Sequence, residues 1–286
     1  MPLWPFGKAR TRRYWRIRKG EYFWLDLEVD NDGAVFSTTN LQIRAVKPSG
    51  TNSLVRLEMR TAIVAGSPES FTYDLDGNLL MNSLWTNTWS ADNRVIRIES
   101  RDSVPDYAKR RVDFAYDHGG RMTTRQVASG YTGGAYAQTN ETVFVWDGFN
   151  LLAEIRDETN QVFYTHGLDM SDSLNGGGGA GGLLFVADCA GSTTNRYCVA
   201  NDGNENVVAL IASDGSVAGE YLYGPFGEPL KARGEAARRN SLRWSTEYFD
   251  TATGLVMYDF RPYDPGLGRW WAQRVIGVAA GYRGGL

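Results

Sequence analysis

A chain of 286 residues with a formal net charge of -3 is long enough to bury a sizeable core, and has no overall charge that would drive it to nucleic acid or an anionic membrane. Its 33 glycines and 13% aromatic residues suit many short strands and tight turns better than a helical bundle. No run of about 18 apolar residues is present to cross a bilayer as a helix. The opening M-P-L-W-P-F-G-K-A-R lacks the apolar stretch and small-residue cleavage site of a secretory leader.

In the first twenty residues Lys8, Arg10, Arg12, Arg13, Arg16, Arg18 and Lys19 interleave with Tyr14 and Trp15. Arginines and aromatics can track phosphates and stack on bases. The same letters also describe a strand with Trp15 and Ile17 inward and Arg16 and Arg18 outward. No second nucleic-acid feature follows, so the strand is preferred. From Glu21 to Ile63 polar and apolar residues alternate, as in Tyr22 to Val29 and Leu54 to Met59. Asn31-Asp32-Gly33 between such runs is a turn signal, because Asp-Gly supplies the positive φ of a two-residue hairpin. Residues 1–70 are therefore expected to form an N-terminal β region without helix.

A short phrase then recurs. It reads Tyr73-Asp74-Leu75-Asp76-Gly77-Asn78-Leu79, Trp89-Ser90-Ala91-Asp92-Asn93-Arg94-Val95, Tyr116-Asp117-His118-Gly119-Gly120-Arg121-Met122, and Trp146-Asp147-Gly148-Phe149-Asn150-Leu151. Weaker echoes are Tyr164 to Asp169 and Asn201 to Val207. In each, an aromatic ends a strand, Asp and Gly turn the chain, and an apolar residue starts the return. Each phrase predicts one hairpin corner, with Gly77, Gly120 and Gly203 at φ > 0 and the aromatic packed over its neighbour. The spacing of roughly 16 to 30 residues is too short and loose for propeller blades.

The run L-N-G-G-G-G-A-G-G-L-L from Leu174 to Leu184 lacks the Lys-Ser/Thr of a P-loop and the strand and helix of a dinucleotide fingerprint, and reads as a flexible or tightly turned crossing. Strands are expected over Leu183 to Val186, Val207 to Ile211 and Val217 to Tyr223, with Ser213-Asp214-Gly215-Ser216 a hairpin turn. Cys189 and Cys198 flank a turn-rich stretch. Their spacing leaves open a cross-strand disulfide or two unpaired, buried thiols. His118 and His166 sit inside turn phrases with no metal-ligand spacing, and no G-x-S-x-G elbow is present. Most carboxylates occupy Asp-Gly or Asp-Asn corners, where they cap their own turns. No catalytic residue, cofactor or metal is expected from these patterns.

The most informative stretch lies between Tyr223 and Gly277. It opens on Y-G-P-F-G-E-P-L, passes through R-W-S-T-E-Y-F-D-T-A-T-G-L and continues as M-Y-D-F-R-P-Y-D-P-G-L-G-R-W. This order resembles the core module of the RHS (rearrangement hotspot) and YD-repeat proteins. That pattern runs approximately Y-D-P-F-G, then R-F-S-G-Q-Y-Y-D-x-x-T-G-L-Y-Y-Y-x-x-R-Y-Y-D-P-x-x-G-R-F-x-x-x-D-P-I-G. Matches stand at Pro225, Phe226, Gly227, Tyr248, Asp250, Gly254, Leu255, Tyr258, Arg261, Tyr263, Asp264, Pro265, Gly268, Arg269, Ile276 and Gly277. The upstream phrases resemble the YD repeat of the same family, with Tyr73, Asp74 and Gly77, then Tyr116, Asp117 and Gly120, at its fixed positions.

The resemblance implies an all-β fold: many short antiparallel strands in a curved, spiralling sheet that forms part of a shell or barrel wall. It divides the chain into the N-terminal β region, a repeat sheet over 71–222, the core module over 223–277 and a tail over 278–286. It also implies a non-catalytic scaffold role in a polymorphic-toxin or cell-surface protein, secreted or at the cell surface. The implied partners are the remaining shell of a longer parent or an encapsulated C-terminal toxin. A carbohydrate- or surface-binding module is an alternative, since Trp and Tyr beside Asn and Asp suit glycans. Some relatives resemble aspartic proteases in releasing their own C-terminal segment. Asp264 persists here, but Arg274 and Val275 stand where the second Asp-Pro would be, and only nine residues follow Gly277. Self-cleavage is therefore not expected.

Overall fold

The computed structural model describes residues 17–19, 22–24, 29–33, 35–49, 52–174, 176 and 181–273. Trp15 and the basic residues before it, the glycine run at 177–180, and Arg274, Val275, Ile276 and Gly277 lie outside the described residues. The chain divides into two compact units, residues 1–69 and 70–286.

In the first unit Ile17–Lys19 pairs antiparallel with Tyr22–Trp24. A longer hairpin pairs Phe36–Ser49 with Asn52–Ala65, in register from Phe36 opposite Ala65 to Ser49 opposite Asn52. The segment Asn31 to Gly33 departs from expectation. Instead of turning one strand into the next, it closes the base of this hairpin. Asp32 forms a parallel bridge to Ser67, and the Asn31 side-chain amide donates to Ala65 O at 2.6 Å. Gly33 does hold φ +68°. The bonding of residues more than thirty positions away, which local turn chemistry cannot show, made the difference.

The second unit is built on one antiparallel meander of 14 strands, from Thr72–Tyr73 at one edge to Pro229–Arg233 at the other. Every strand pairs with its neighbours in sequence, so alternate connections fall at the same end of the sheet. The connections after Tyr73, Trp89, Tyr116, Asp147, His166, Asn201 and Tyr223 therefore share one rim. The repeated phrases are the corners of that rim. Register shifts sit beside all seven, at Thr72/Tyr73, Thr88/Trp89, Met122/Thr124, Val145/Trp146, Thr165/His166, Ala200/Asn201 and Leu222/Tyr223. A bulge bends and re-aims a strand, and here it re-aims the strand-terminal aromatic.

After the meander come a short helix, Glu235–Arg239, and a four-stranded antiparallel sheet of Tyr248–Asp250, Leu255–Met257, Pro262–Asp264 and Arg269–Trp270. The helix was not anticipated, because five residues carry no readable helical period. It buries Ala236 and Ala237, and Gly219 makes room for it. A Cβ on Gly219 would stand 2.8 Å from Ala237 N. Leu79, Ile98, Val112, Val162, Val186 and Leu210 of the wall share one core with Ala237, Leu242, Leu255 and Trp271 of this C-terminal module.

The expected strands after the glycine run are present as Leu183–Ala190, Val207–Ala212 and Val217–Tyr223, with Gly215 at φ +81° in the predicted turn. Cys189 and Cys198 lie on facing strands but out of register: Cys189 pairs with Thr194 and Cys198 with Phe185. Both are free thiols, and Cys198 is exposed, so neither the disulfide nor the pair of buried thiols describes them.

Candidate functional site: the corner rim and the C-terminal module

Three of the corners close on themselves in the same way. The Asp74 carboxylate accepts from the backbone N–H of Asp76 and of Asn78, and from the Asn78 side-chain amide. Asp117 does the same with Gly119 and Arg121, and Asp202 with Asn204 and Asn206. In all three, partial burial tends to raise the carboxyl pKa, but these donors outweigh it and hold the group below the ordinary range. Three residues after the capping position the backbone is left-handed, at Gly77 (φ +79°), Asn93 (+60°), Gly120 (+80°) and Glu205 (+62°). Gly203 is not among them. Counting from Asp202 places the left-handed step on Glu205, so the expectation for Gly203 is corrected.

At five of the corners the ring side chain that precedes the turn reaches the previous corner. Trp89 Nε1 donates to Leu79 O at 2.8 Å, Tyr116 Oη to Val95 O at 2.9 Å, Trp146 Nε1 to Met122 O at 2.6 Å and Tyr223 Oη to Val207 O at 2.8 Å. His166 Nε2 stands 2.8 Å from Leu151 O in the same position. Burial lowers the pKa of this imidazole, favouring the neutral ring that donates here. Each acceptor is at or next to the start of the strand leaving the previous corner. The rim is thus a chain of side-chain straps from corner to corner. The turn role read for His166 is replaced by this strap role. Trp89 and Trp146 carry it as well, and the aromatic-first order of the phrase was the available signal. Tyr73, in the edge strand, is 46% exposed.

The C-terminal module closes over this rim. Leu79 N donates to Trp271 O at 2.7 Å, and Val207 N to Arg243 O at 2.9 Å. Arg94 donates to Asp259 O and spreads its guanidinium over Phe260 at 4.8 Å and Tyr116 at 5.7 Å. Trp271 is 1% exposed and gives its Nε1–H to Asp264, which also accepts from Leu267 N. Tyr263 Oη donates to Phe226 O at 2.9 Å.

Farther in, Asp250 is fully buried and takes two bonds from Arg125, at 3.0 and 2.6 Å, while capping its own turn through Ala252 N and Thr253 N. Burial opposes the Arg125 charge, but Asp250 outweighs it and keeps the guanidinium protonated. Tyr248 meets Phe144 edge to face at 5.1 Å, and Leu255 is 1% exposed. Arg239 of the helix binds Asp188 through both Nε and Nη2.

The remaining motif residues serve turns and ring contacts. Gly227 (φ +87°) lies against the Trp244 ring, and a Cβ there would come within 2.6 Å of it. Gly254 (φ +79°) and Gly268 (φ +62°) turn the small sheet, with Gly268 under Phe226. Arg261 lies over Trp270 at 4.1 Å and Arg269 over Phe71 at 4.9 Å. Pro265 is buried, whereas Pro225 and Phe226 are exposed. Among the described residues, no cluster of three or more His, Cys, Asp or Glu side chains could hold a metal ion. The turn Arg243–Glu247 is strained: Ser245 and Thr246 both have positive φ, at +52° and +59°. For a β-branched residue this is an outlier. Thr246 is held there by its Oγ1, which donates to Glu205 O and accepts from Gly181 N.

No protein-family model matches the chain. The double-stranded DNA deaminase toxin A of Burkholderia cenocepacia is 28% identical over 231 residues, covering 74% of this chain and 15% of that protein. The tRNA3(Ser)-specific nuclease WapA of Bacillus spizizenii is 26% identical over 202 residues, covering 69% of this chain and 7% of that protein. In structure, the Tc holotoxin pore of Photorhabdus luminescens superposes with a TM-score of 0.53 at 14% identity, over 84% of this chain and 12% of that one. All three are RHS-type toxins. The chain resembles the RHS/YD-repeat proteins in fold and in sequence. The 14-stranded sheet, which does not close on itself, is consistent with an RHS shell fold. The chain spans 15% or less of the length of the two curated relatives it matches.

Proposed function

We propose that this chain is a non-catalytic wall segment with its end plug, part of a larger shell that encloses a C-terminal toxin. The observation that carries the reading is the seat of the module on the corner rim. Trp271 belongs to the core that meander and module share, and the Arg125–Asp250 pair that links them is buried, so the module acts as a fixed closure. The side chains that could suggest another role are occupied. The indoles of Trp89, Trp146 and Trp271 donate inside the fold. Asp264 caps its turn, and Arg274, a permanent cation, stands where a second carboxylate would be needed for aspartic-type chemistry. The secreted or cell-surface setting of such toxins is the compartment we infer for it.

The test is to incubate the purified chain with double-stranded DNA and with tRNA, the substrates named for its relatives, and to follow its intact mass from pH 4 to 8. The scaffold reading expects no deamination, no nucleic-acid cleavage and a constant mass. A discrete shortened species that vanishes in Asp264→Asn, or turnover of either nucleic acid, would overturn it.

A further inference from the structure

One hairpin of the meander reaches past its neighbours. Met122–Thr132 and Ala135–Asp147 stay paired up to their turn, with Tyr131 opposite Tyr136 and Thr132 opposite Ala135. Gly133 and Gly134 between them hold φ +58° and +87°, as a two-residue type I′ loop requires. The flanking strands stop short of this loop. Arg111–Tyr116 pairs with the hairpin only as far as Ala128, and Asn150–Asp157 only as far as Val143. Beyond these points the hairpin continues as an arm, past the rim opposite the corners.

One flank of the arm is braced. Lys109 Nζ lies over the Tyr131 ring at 4.2 Å and the Arg111 guanidinium over Tyr136 at 5.4 Å. Tyr136 Oη donates to Glu99 Oε1 at 3.3 Å, and the two tyrosines meet edge to face at 5.0 Å. The other flank is open. Among the described residues no strand pairs with residues 135–141 on that side, and all of them are exposed except half-buried Tyr136. In an antiparallel ladder, hydrogen-bonded pairs alternate with pairs whose backbone groups turn outward. The two-residue loop closes on a hydrogen bond between Thr132 and Ala135. Tyr136, Gln138 and Asn140 therefore turn their backbone N–H and C=O to the open side.

An unpaired edge is a template for another strand, and proteins blunt it with lysine, proline, bulges or short length. The terminal strands of the meander show these devices. Thr72–Tyr73 is two residues long, and Pro229–Arg233 carries Pro229, Lys231 and Arg233. The edge of the arm reads A-Y-A-Q-T-N-E, without proline or cation, and keeps a constant register with its own partner strand.

We propose that the open edge of residues 135–141 pairs antiparallel with the same edge of a second copy of the chain, about a two-fold axis at Gln138. The edge is complementary to itself in this alignment. Gln138 meets the partner's Gln138, Tyr136 the partner's Asn140, and Asn140 the partner's Tyr136. All outward backbone groups of these residues are then satisfied, by two hydrogen bonds for each pair. Glu141, the single charge of the edge, falls opposite the partner's Ala135. The two carboxylates thus lie at opposite ends of the ladder, about 20 Å apart. A parallel alignment would set them side by side, which is unfavourable. Bracing before contact keeps the ordering cost of pairing low. The contact is small, so the association is weak and depends on concentration.

Sedimentation of the full chain from about 1 μM to about 1 mM is expected to show a monomer–dimer equilibrium. Gln138→Lys and Gln138→Glu each set like charges across the axis, at an exposed position that tolerates substitution. Either variant alone is expected to raise the dimer dissociation constant by about fivefold or more. An equimolar mixture of the two is expected to associate at least as well as wild type. A wild type that stays monomeric throughout, variants that associate as wild type does, or a mixture no better than its components would overturn the proposal. Should a variant misfold, amide exchange of the wild type decides. Exchange at Tyr136, Gln138 and Asn140 is expected to slow as concentration rises, and rates independent of concentration would overturn the pairing.

Discussion

Gly77 and Gly120 show why a corner residue is glycine. Both hold the left-handed step, and a Cβ would also strike a neighbour: the Gln273 side chain at 2.7 Å from Gly77, and the Arg94 guanidinium at Gly120. Valine at either position is expected to destabilise the protein by more than about 1 kcal/mol. Gly203 is exposed, has ordinary φ and meets nothing within 4 Å. Gly203→Val is therefore expected to change stability by less than about 0.5 kcal/mol. Denaturant midpoints of the three variants decide this, and equal losses would refute the assignment of the turn to Glu205. The Asp-Gly signal was legible here, but the left-handed position was not. It depends on counting from the capping carboxylate, and Asn201-Asp202-Gly203-Asn204-Glu205 offers a glycine at the wrong count. Thr246 illustrates the reverse. The family pattern has glycine where this chain keeps threonine, and its hydroxyl bonds to Glu205 and Gly181 offset the strain.

The link between wall and module depends on the Arg125–Asp250 pair. Asp250 sits in the strand Tyr248–Asp250 and Arg125 in the strand Met122–Thr132, 125 positions apart. Removing one member strands a buried charge, which costs about 3–5 kcal/mol, whereas removing both leaves none. Arg125→Met is expected to be strongly destabilising. Arg125→Met with Asp250→Asn is expected to recover about 1–3 kcal/mol relative to the sum of the single changes. Additive single and double variants would show that the pair is not coupled. Asp250 was legible as a motif position, whereas its partner was not. Arg125 stands in an ordinary alternating strand, and nothing local distinguishes it from Arg97 or Arg111, whose ion pairs with Asp113 are more exposed. The straps divide in the same way. Each aromatic was readable, but its acceptor lies in another corner, and only the register of the meander determines which.

For the molecule as a whole, residues 70–286 contain the meander, its module and the core they share. Expressed without residues 1–69, this part is expected to unfold in one cooperative step, with the β-sheet signal and the tryptophan signal changing together. Separate transitions for the two probes would show that wall and module are independently stable. The sequence by itself determined the all-β class, the corners and the family resemblance, because these rest on alternation, turn chemistry and motif spacing within a few residues of each other. Only the tertiary structure decided which rim the corners share, that the module seats on that rim, and which charges meet beneath it. Those outcomes depend on strand order and on desolvation: an arginine and an aspartate distant in sequence become one buried pair. Local sequence carries the geometry of a turn, but the company a charge keeps is set by the packing of elements far apart along the chain.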